Sequence, residues 1–198
     1  MNDGGSAIWD AHAATFDEQP DHGLRDPAVR TAWASLLNSV LPVPSASVVD
    51  IGCGTGSLAV LLAETGHRVH GLDASSAMLD VARRKAAERG VALSLVRGDA
   101  SWPPFAAGSF DVVLVRHVLW AMTEPQATVV RWIDLLRPDG RLVMIEGHWA
   151  TGAGLTAAQC TSLMQRHDRQ VELLPLNAAG LWGKDITDER YLLLSRPR

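Results

Sequence analysis

Three aspartates and three glycines carry the first chemical signal in this chain. In Val48-Val49-Asp50-Ile51-Gly52-Cys53-Gly54-Thr55-Gly56 an apolar run ends in an acid and then in glycines at alternate positions. Glycine permits positive φ and close approach of backbone to a ligand, so this turn can hold a ligand between a strand end and the N-terminus of the helix that follows. Asp73 closes the next apolar run, in Gly71-Leu72-Asp73-Ala74-Ser75, and Asp99 follows the third, in Arg97-Gly98-Asp99-Ala100. A carboxylate about 20 residues after a glycine turn suits a ribose diol. Asp99 suits the exocyclic amine of adenine, the Ala100 amide a ring nitrogen, and the Met78 thioether the face of the base. Each has a plainer reading, with Asp73 as a helix cap and Asp99 as a turn residue. Three acids at three consecutive strand ends point instead to one nucleotide-type ligand.

The elements that must position these residues alternate from Ser47 onward. Strands are expected at 47–51, 68–72, 93–97, 110–116, 141–146, 171–176 and 191–195, and helices at 56–65, 75–89, 125–136 and 156–167. Repeated strand–helix–strand units predict a doubly wound α/β fold, a parallel sheet with helices on both faces. Right-handed crossovers then put the ligand crevice at the carboxyl ends of the strands. The linker from Asn177 to Glu189 reads as a loop, which allows the last strand to turn antiparallel at the sheet edge. Upstream, residues 6–18 read as a helix with Ser6 as N-cap, and Gln19-Pro20-Asp21-His22-Gly23 as a polar link. Asp26-Pro27 opens a second helix, with an apolar stripe of Val29, Trp33, Leu36, Leu37 and Val40, that stops before Pro42.

Bulk properties exclude several classes. A chain of 198 residues with 47% hydrophobic residues is expected to fold as one domain without a disulfide or metal staple. Its net charge of −4 and pI of about 5.9 disfavour a nucleic-acid footprint. Arg83, Arg84, Lys85 and Arg89, beside Asp80 and Glu88, read as a solvated helix face. Two cysteines without metal-ligand spacing, no signal-peptide pattern at Met1-Asn2 and no long apolar run give a cytoplasmic expectation. Of the tryptophans, Trp9, Trp120 and Trp149 fall near ligand-facing positions.

A dinucleotide site prefers Gly-x-Gly-x-x-Gly, but here Ser57 stands at the third glycine position. Taken in order, Val-Val-Asp-Ile-Gly-Cys-Gly-Thr-Gly (48–56), Gly-Leu-Asp-Ala-Ser (71–75), Gly-Asp-Ala (98–100), Gly-Ser-Phe-Asp-Val-Val-Leu (108–114) and Leu-Arg-Pro-Asp-Gly-Arg-Leu (136–142) resemble the class I S-adenosylmethionine-dependent methyltransferases of the small single-domain kind. The resemblance implies a Rossmann-like seven-stranded sheet of order 3-2-1-4-5-7-6 with strand 7 antiparallel. It implies residues 1–45 as a helical lid over a core at 46–198. It implies S-adenosylmethionine held by Asp50, Gly52, Gly54, Gly56, Asp73, Ala74, Met78, Asp99 and Ala100, with Arg116 and His117 passing its sulfonium end.

A methyl sulfonium is already activated, so holding donor and acceptor aligned is the enzyme's largest task. A base is needed only where the acceptor keeps a proton. His117, His148 and Glu146 lie at strand ends and His22 in the N-terminal link, and these are the candidate bases. The stretch Val-Arg-His-Val-Leu-Trp after strand four lacks the Asn/Asp-Pro-Pro-aromatic motif of nucleic-acid amino methyltransferases. The expected acceptor is therefore a small molecule methylated at O or N, with no metal and no membrane. Three alternatives remain open at this point: a C-methyltransferase of the quinone-biosynthesis type, a nicotinamide-dependent oxidoreductase, and a non-catalytic S-adenosylmethionine-binding protein.

Overall fold

The computed structural model describes residues 3–41 and 45–198. Met1, Asn2 and the expected stop at Pro42 lie outside the described residues. The seven strands are β1 (Ser47–Ile51), β2 (Arg68–Asp73), β3 (Ser94–Arg97), β4 (Phe110–Arg116), β5 (Leu136–His148), β6 (Arg169–Pro175) and β7 (Glu189–Pro197). They form one sheet of order β3-β2-β1-β4-β5-β7-β6, in which β7 runs antiparallel to both neighbours, as expected.

Strands β1 and β4 are buried at nearly every position because helices cover both faces. Val48, Val112, Leu114, Val143 and Ile145 face one layer with Trp33, Leu37, Leu62 and Trp182. Val49, Val113, Val115 and Met144 face the other, with Val129, Trp132 and Met164. The register sets Ile51 beside Leu72 and Val115, and Leu72 beside Val96. The carboxyl ends of β1 to β4 therefore share one rim, which carries Asp50, Asp73 and Arg116.

The N-terminal segment departs from the expected single helix over 6–18. Helix α1 spans Asp3–His12, and a separate 3-10 turn spans Phe16–Glu18. Tertiary bonds override the helical pattern. The Asp10 carboxylate accepts from Ser75 Oγ (2.5 Å) and Ala77 N (3.1 Å), while Asp17 is drawn to Lys85 (2.8 Å). The polar link winds into a helical turn, α2 (Pro20–Gly23), closed by Leu24 at φ 49°. Helix α3 (Pro27–Val40) starts on the Asp26 carboxylate, which accepts from Ala28 N (2.7 Å) and Val29 N (3.3 Å). Helices α4 (Ser57–Glu64), α5 (Ser76–Glu88), α6 (Pro125–Asp134) and α7 (Ala157–Met164) fall where expected. The linker before β7 contains a short helix, α8 (Ala179–Trp182), seated by Trp33 Nε1 donating to Leu181 O (2.6 Å). Strand β5 begins early because Leu136 pairs with Phe110 before a register shift. No helix of the described residues is long and apolar enough to cross a membrane.

Lys85 also corrects the reading of α5 as a wholly solvated face. It turns inward, pairs with Asp17 and donates to Thr55 Oγ1 (3.2 Å) and Ser57 Oγ (2.7 Å).

Gly56 sets how closely α4 and α5 approach. Its φ is +75°, and a Cβ there would stand 2.8 Å from Ala82 Cβ. Gly56→Ala is expected to destabilise the fold by about 1–3 kcal/mol through positive-φ strain and overpacking. Urea unfolding measures this; an unchanged midpoint would contradict the packing role.

Candidate active site

A cavity of about 500 Å³ opens at the shared rim. Its floor is the glycine turn, with Asp50, Gly52 and Gly54. One end is walled by Asp73, Ala74, Met78 and Ala100; the other by His117, Trp120, Trp149 and Arg190; Trp9, Phe16 and His22 line it from the N-terminal segment.

The turn is built by backbone that side chains tolerate poorly. Gly52 has φ +70°, and a Cβ there would lie 2.3 Å from Val118 Cγ2. Gly54 has φ +54°, and its Cβ would meet only Phe16 Cε1 at 3.7 Å. Gly54 thus leaves a backbone-lined opening, while Gly56 packs on Ala82 and lies away from the cavity lining.

Asp73 Oδ2 accepts from Gly54 N (2.8 Å), and Oδ1 accepts from Ser75 N (2.8 Å). The helix cap itself is Ser75, whose Oγ accepts from Met78 N (3.1 Å). Asp73 therefore ties the glycine turn to the start of α5 and keeps lone pairs for a ligand. Burial pushes its pKa up, and the backbone N–H bonds from Ser75, Gly54 and Ala74 oppose the shift. Asp50 is likewise pushed up by burial, to about 7, with Arg116 opposing the shift. Met78 and Ala100 are buried in the wall beyond Asp73. The Asp99 carboxylate accepts from Ser101 N (2.8 Å) and Ser101 Oγ (2.9 Å) and is not among the lining residues. These features fit the adenosine and methionine parts of S-adenosylmethionine. A carboxylate receptive to hydroxyl donors stands beside an apolar slot, and an open glycine leads from it to the far end.

The cover is latched by polar contacts. Asp17 accepts from Thr55 Oγ1 (2.5 Å) as well as from Lys85. Arg116 donates from Nη1 to Asp21 O (2.7 Å) and lies over the Trp33 ring. His22 stacks on Phe16 with centroids 4.2 Å apart, and its Nε2 lies 3.6 Å from Asp21 Oδ2.

The far end is aromatic. His117 holds a left-handed backbone (φ +57°), unusual for a non-glycine residue. Its ring lies 5.3 Å from Trp149, which is 5.5 Å from Trp120. Arg190 is clamped by Asp188 (2.7 and 3.0 Å) and lies over Trp149 and Trp182. Both His117 nitrogens are buried without a hydrogen-bond partner. Burial, with Arg116, Arg190 and His22 adding to it, pushes the His117 pKa well below its ordinary value, so the imidazole is neutral. Behind it, Glu146 Oε1 accepts from Val118 N (3.0 Å) and Leu119 N (2.8 Å). Glu146 Oε2 has no hydrogen bond and stands 4.0 Å from His117 Nδ1. Burial raises the Glu146 pKa to about 7.

Of the four candidate bases, His22 and His117 line the cavity, and Glu146 reaches it through His117. His148 does not line it; it closes β5 in a bridge with Gly154. Sequence reasoning missed Gln19, Thr55, Met122, Trp182, Lys184, Ile186 and Arg190, all of which line the cavity. Four of these come from the last linker and β7, which reach the rim only because β7 returns antiparallel beside β5. The run Trp182-Gly183-Lys184 was the one signal available there.

Residues 49–144 match a protein family described as a methyltransferase domain. Nocamycin O-methyltransferase of Saccharothrix syringae is 40% identical over 139 residues, 68% of this chain and 48% of that protein. Demethylmenaquinone methyltransferase of Renibacterium salmoninarum is 31% identical over 143 residues, covering 69% and 59%. The chain thus matches about half the length of these curated relatives. Among solved structures, the [4+2]-cyclase SpnF superposes with a TM-score of 0.73 at 18% identity, over 84% of this chain and 80% of that one. A SAM-dependent methyltransferase from Aquifex aeolicus gives 0.66 at 13% identity, over 82% and 88%. At such identities the likeness speaks for the fold alone.

Two outcomes follow from the carboxylates. Asp73→Ala is expected to weaken S-adenosylhomocysteine binding by ~1–3 kcal/mol through lost charge-assisted hydrogen bonds; calorimetry showing unchanged affinity with the fold retained would remove Asp73 from the ligand site. Glu146 has a folded pKa of about 7 against an ordinary 4.5. Its stabilising contribution is therefore full below pH ~4.5 and lost as pH rises through ~7. Glu146→Gln should flatten the stability–pH curve over that window by on the order of 2 kcal/mol. Parallel denaturation curves for the two proteins would refute this.

Proposed function

Because the chain belongs to the class I S-adenosylmethionine-dependent methyltransferases, its cofactor is S-adenosylmethionine, and we propose that it transfers the methyl group to an oxygen or nitrogen of a small, flat acceptor. The observation that carries this reading is the neutral, buried, unpartnered imidazole of His117 at the aromatic end of a cavity whose other end fits the donor. Trp120 and Trp149 line this end and give a planar molecule aromatic surface to pack on. The names of the relatives, an O-methyltransferase and a quinone-type methyltransferase, support an acceptor of this kind.

When bound, S-adenosylmethionine supplies a methyl group activated on a sulfonium. The chain's own residues supply alignment and proton transfer. The α2 segment and the 3-10 turn at Phe16–Glu18 cover the cavity and exclude water, which strengthens the electrostatics inside. Trp149 and Trp120 orient the acceptor against the rim. His117 Nε2 would take the acceptor's proton as the acceptor atom bonds to the methyl carbon, while that carbon's bond to the sulfonium sulfur would break and leave its electron pair on sulfur. An imidazolium there is opposed by Arg116 and Arg190. The Nδ1 proton therefore passes to Glu146 Oε2, once a small rotation closes the 4.0 Å gap between them. His117 is the catalytic residue of this reading and Glu146 its positioning partner and proton sink. The described part of residues 1–45 acts as the lid of a single domain. The two buried free thiols, Cys53 and Cys160, support a reducing cytoplasmic setting.

His117→Ala is expected to lower kcat by ~100-fold on a hydroxyl acceptor while leaving S-adenosylhomocysteine affinity nearly unchanged. Glu146 must be ionised to receive the proton, so kcat should rise with pH to a plateau above about 7. Glu146→Gln should abolish that rise. Full kcat in His117→Ala across the pH range would eliminate it as the base.

A further inference from the structure

The basic run on α5 is not absorbed by the methyl-transfer site. It borders a second cavity of about 310 Å³, between α5 and the outer side of the N-terminal cover. Five cationic side chains line it, Arg25, Arg30, Arg84, Lys85 and Arg89, against the acids Asp17 and Glu88. Glu64 takes up part of this charge by pairing with Arg30 and, at 3.9 Å, with Arg89. Arg84 donates only to a backbone oxygen, Asp80 O, at 3.5 Å, and among the described residues neither Arg25 nor Arg84 forms an ion pair. An acidic chain with a net charge of −4 therefore keeps a concave cluster of excess positive charge.

Lys85 joins this cavity to the first one. Its Nζ faces Asp17 (2.8 Å), Thr55 Oγ1 (3.2 Å) and Ser57 Oγ (2.7 Å). Thr55 and Ser57 line the donor cavity and Asp17 lines the second. The ammonium is thus the latch between the cover and the glycine turn, within reach of whatever occupies the basic cavity.

We propose that the second cavity is a regulatory site for a small phosphate-bearing anion, which competes with Asp17 for Lys85 and loosens the cover. Guanidinium groups match phosphate oxygens in pairs, and unpaired Arg25 and Arg84 are free to provide that match. The concave shape and limited volume favour a free phosphate ester or diphosphate over a nucleic-acid backbone. Release of Lys85 leaves Asp17 tied to the glycine turn by Thr55 Oγ1, without the ion pair, and so loosens the 3-10 turn at Phe16–Glu18, which carries Phe16 over Gly54. Donor exchange then becomes faster and donor affinity lower. The coupling is reciprocal, so the donor weakens the anion equally. The proposal rests on the donor reading only for this last effect, since anion binding is read on its own.

The test uses the full chain and inorganic pyrophosphate, titrated calorimetrically at ionic strength matched with sodium chloride. The expected results are saturable pyrophosphate binding and a loss of S-adenosylhomocysteine affinity of about five-fold or more in its presence. Replacing both exposed arginines, Arg25→Ser with Arg84→Ser, should abolish both effects and leave S-adenosylhomocysteine affinity without pyrophosphate unchanged. No saturable binding, or an identical effect from sodium chloride, overturns the anion site. Pyrophosphate binding with unchanged S-adenosylhomocysteine affinity overturns the coupling. Tighter binding, per phosphate, of a short DNA duplex overturns the small-molecule assignment. Failure of S-adenosylhomocysteine to bind the wild-type chain without pyrophosphate would strike the donor reading instead.

Discussion

The bond from Gly54 N–H to the Asp73 carboxylate, 2.8 Å long, is the contact on which the rest of the site depends. It joins the turn after β1 to the end of β2, and through Ser75 N–H it reaches the start of α5. The turn can make it because Gly52, Gly54 and Gly56 all adopt positive φ, at little cost for glycine and at real cost for other residues. The cover then hangs on the same two elements. Asp10 bonds to the first residues of α5, while Asp17 bonds to Thr55 within the turn. One half-buried acidic side chain at the rim thereby fixes the glycine-turn end of the cavity, and the N-terminal segment is folded against what it fixes.

The opposite end follows another logic. The donor end is rich in completed hydrogen bonds, whereas His117 and Glu146 keep buried polar atoms without partners. Leaving such groups unpaired costs stability, and His117 adds a left-handed backbone. Unpaired buried atoms and a left-handed backbone coincide here beside a cavity, a combination that fits the proposed reaction site. In the proposed reaction the aromatic wall would exclude water around the proton transfer and leave room for a planar acceptor.

Strands β1 to β4 and helices α4 and α5 were legible to within a residue or so, because their apolar runs, glycines and caps act locally. Asp50, Gly52, Gly54, Asp73, Met78 and Ala100 line the cavity, a placement that follows from strand ends in register. What escaped was decided by distant contacts. The helix expected over 6–18 breaks because Asp10 and Asp17 find partners on α5 and in the turn, far along the chain. Lys85 looked like one more solvated cation, and only the fold shows that it faces inward. Arg190 and Trp182 reach the rim through the antiparallel return of β7, which periodicity places at an edge without saying what that edge touches. His148 and Glu146 lie two residues apart on β5 and were equal candidates, yet Glu146 lies behind His117 and His148 bridges to Gly154.

The central claim is that a single cavity receives the donor between Asp73 and Gly54 and presents its reactive end to His117. A crystal structure with S-adenosylhomocysteine bound tests it most directly. The account predicts ribose hydroxyls on the Asp73 carboxylate, adenine between Met78 and Ala100, and the sulfur facing His117 and Trp149. A ligand bound elsewhere, or one whose sulfur points away from His117, would contradict it.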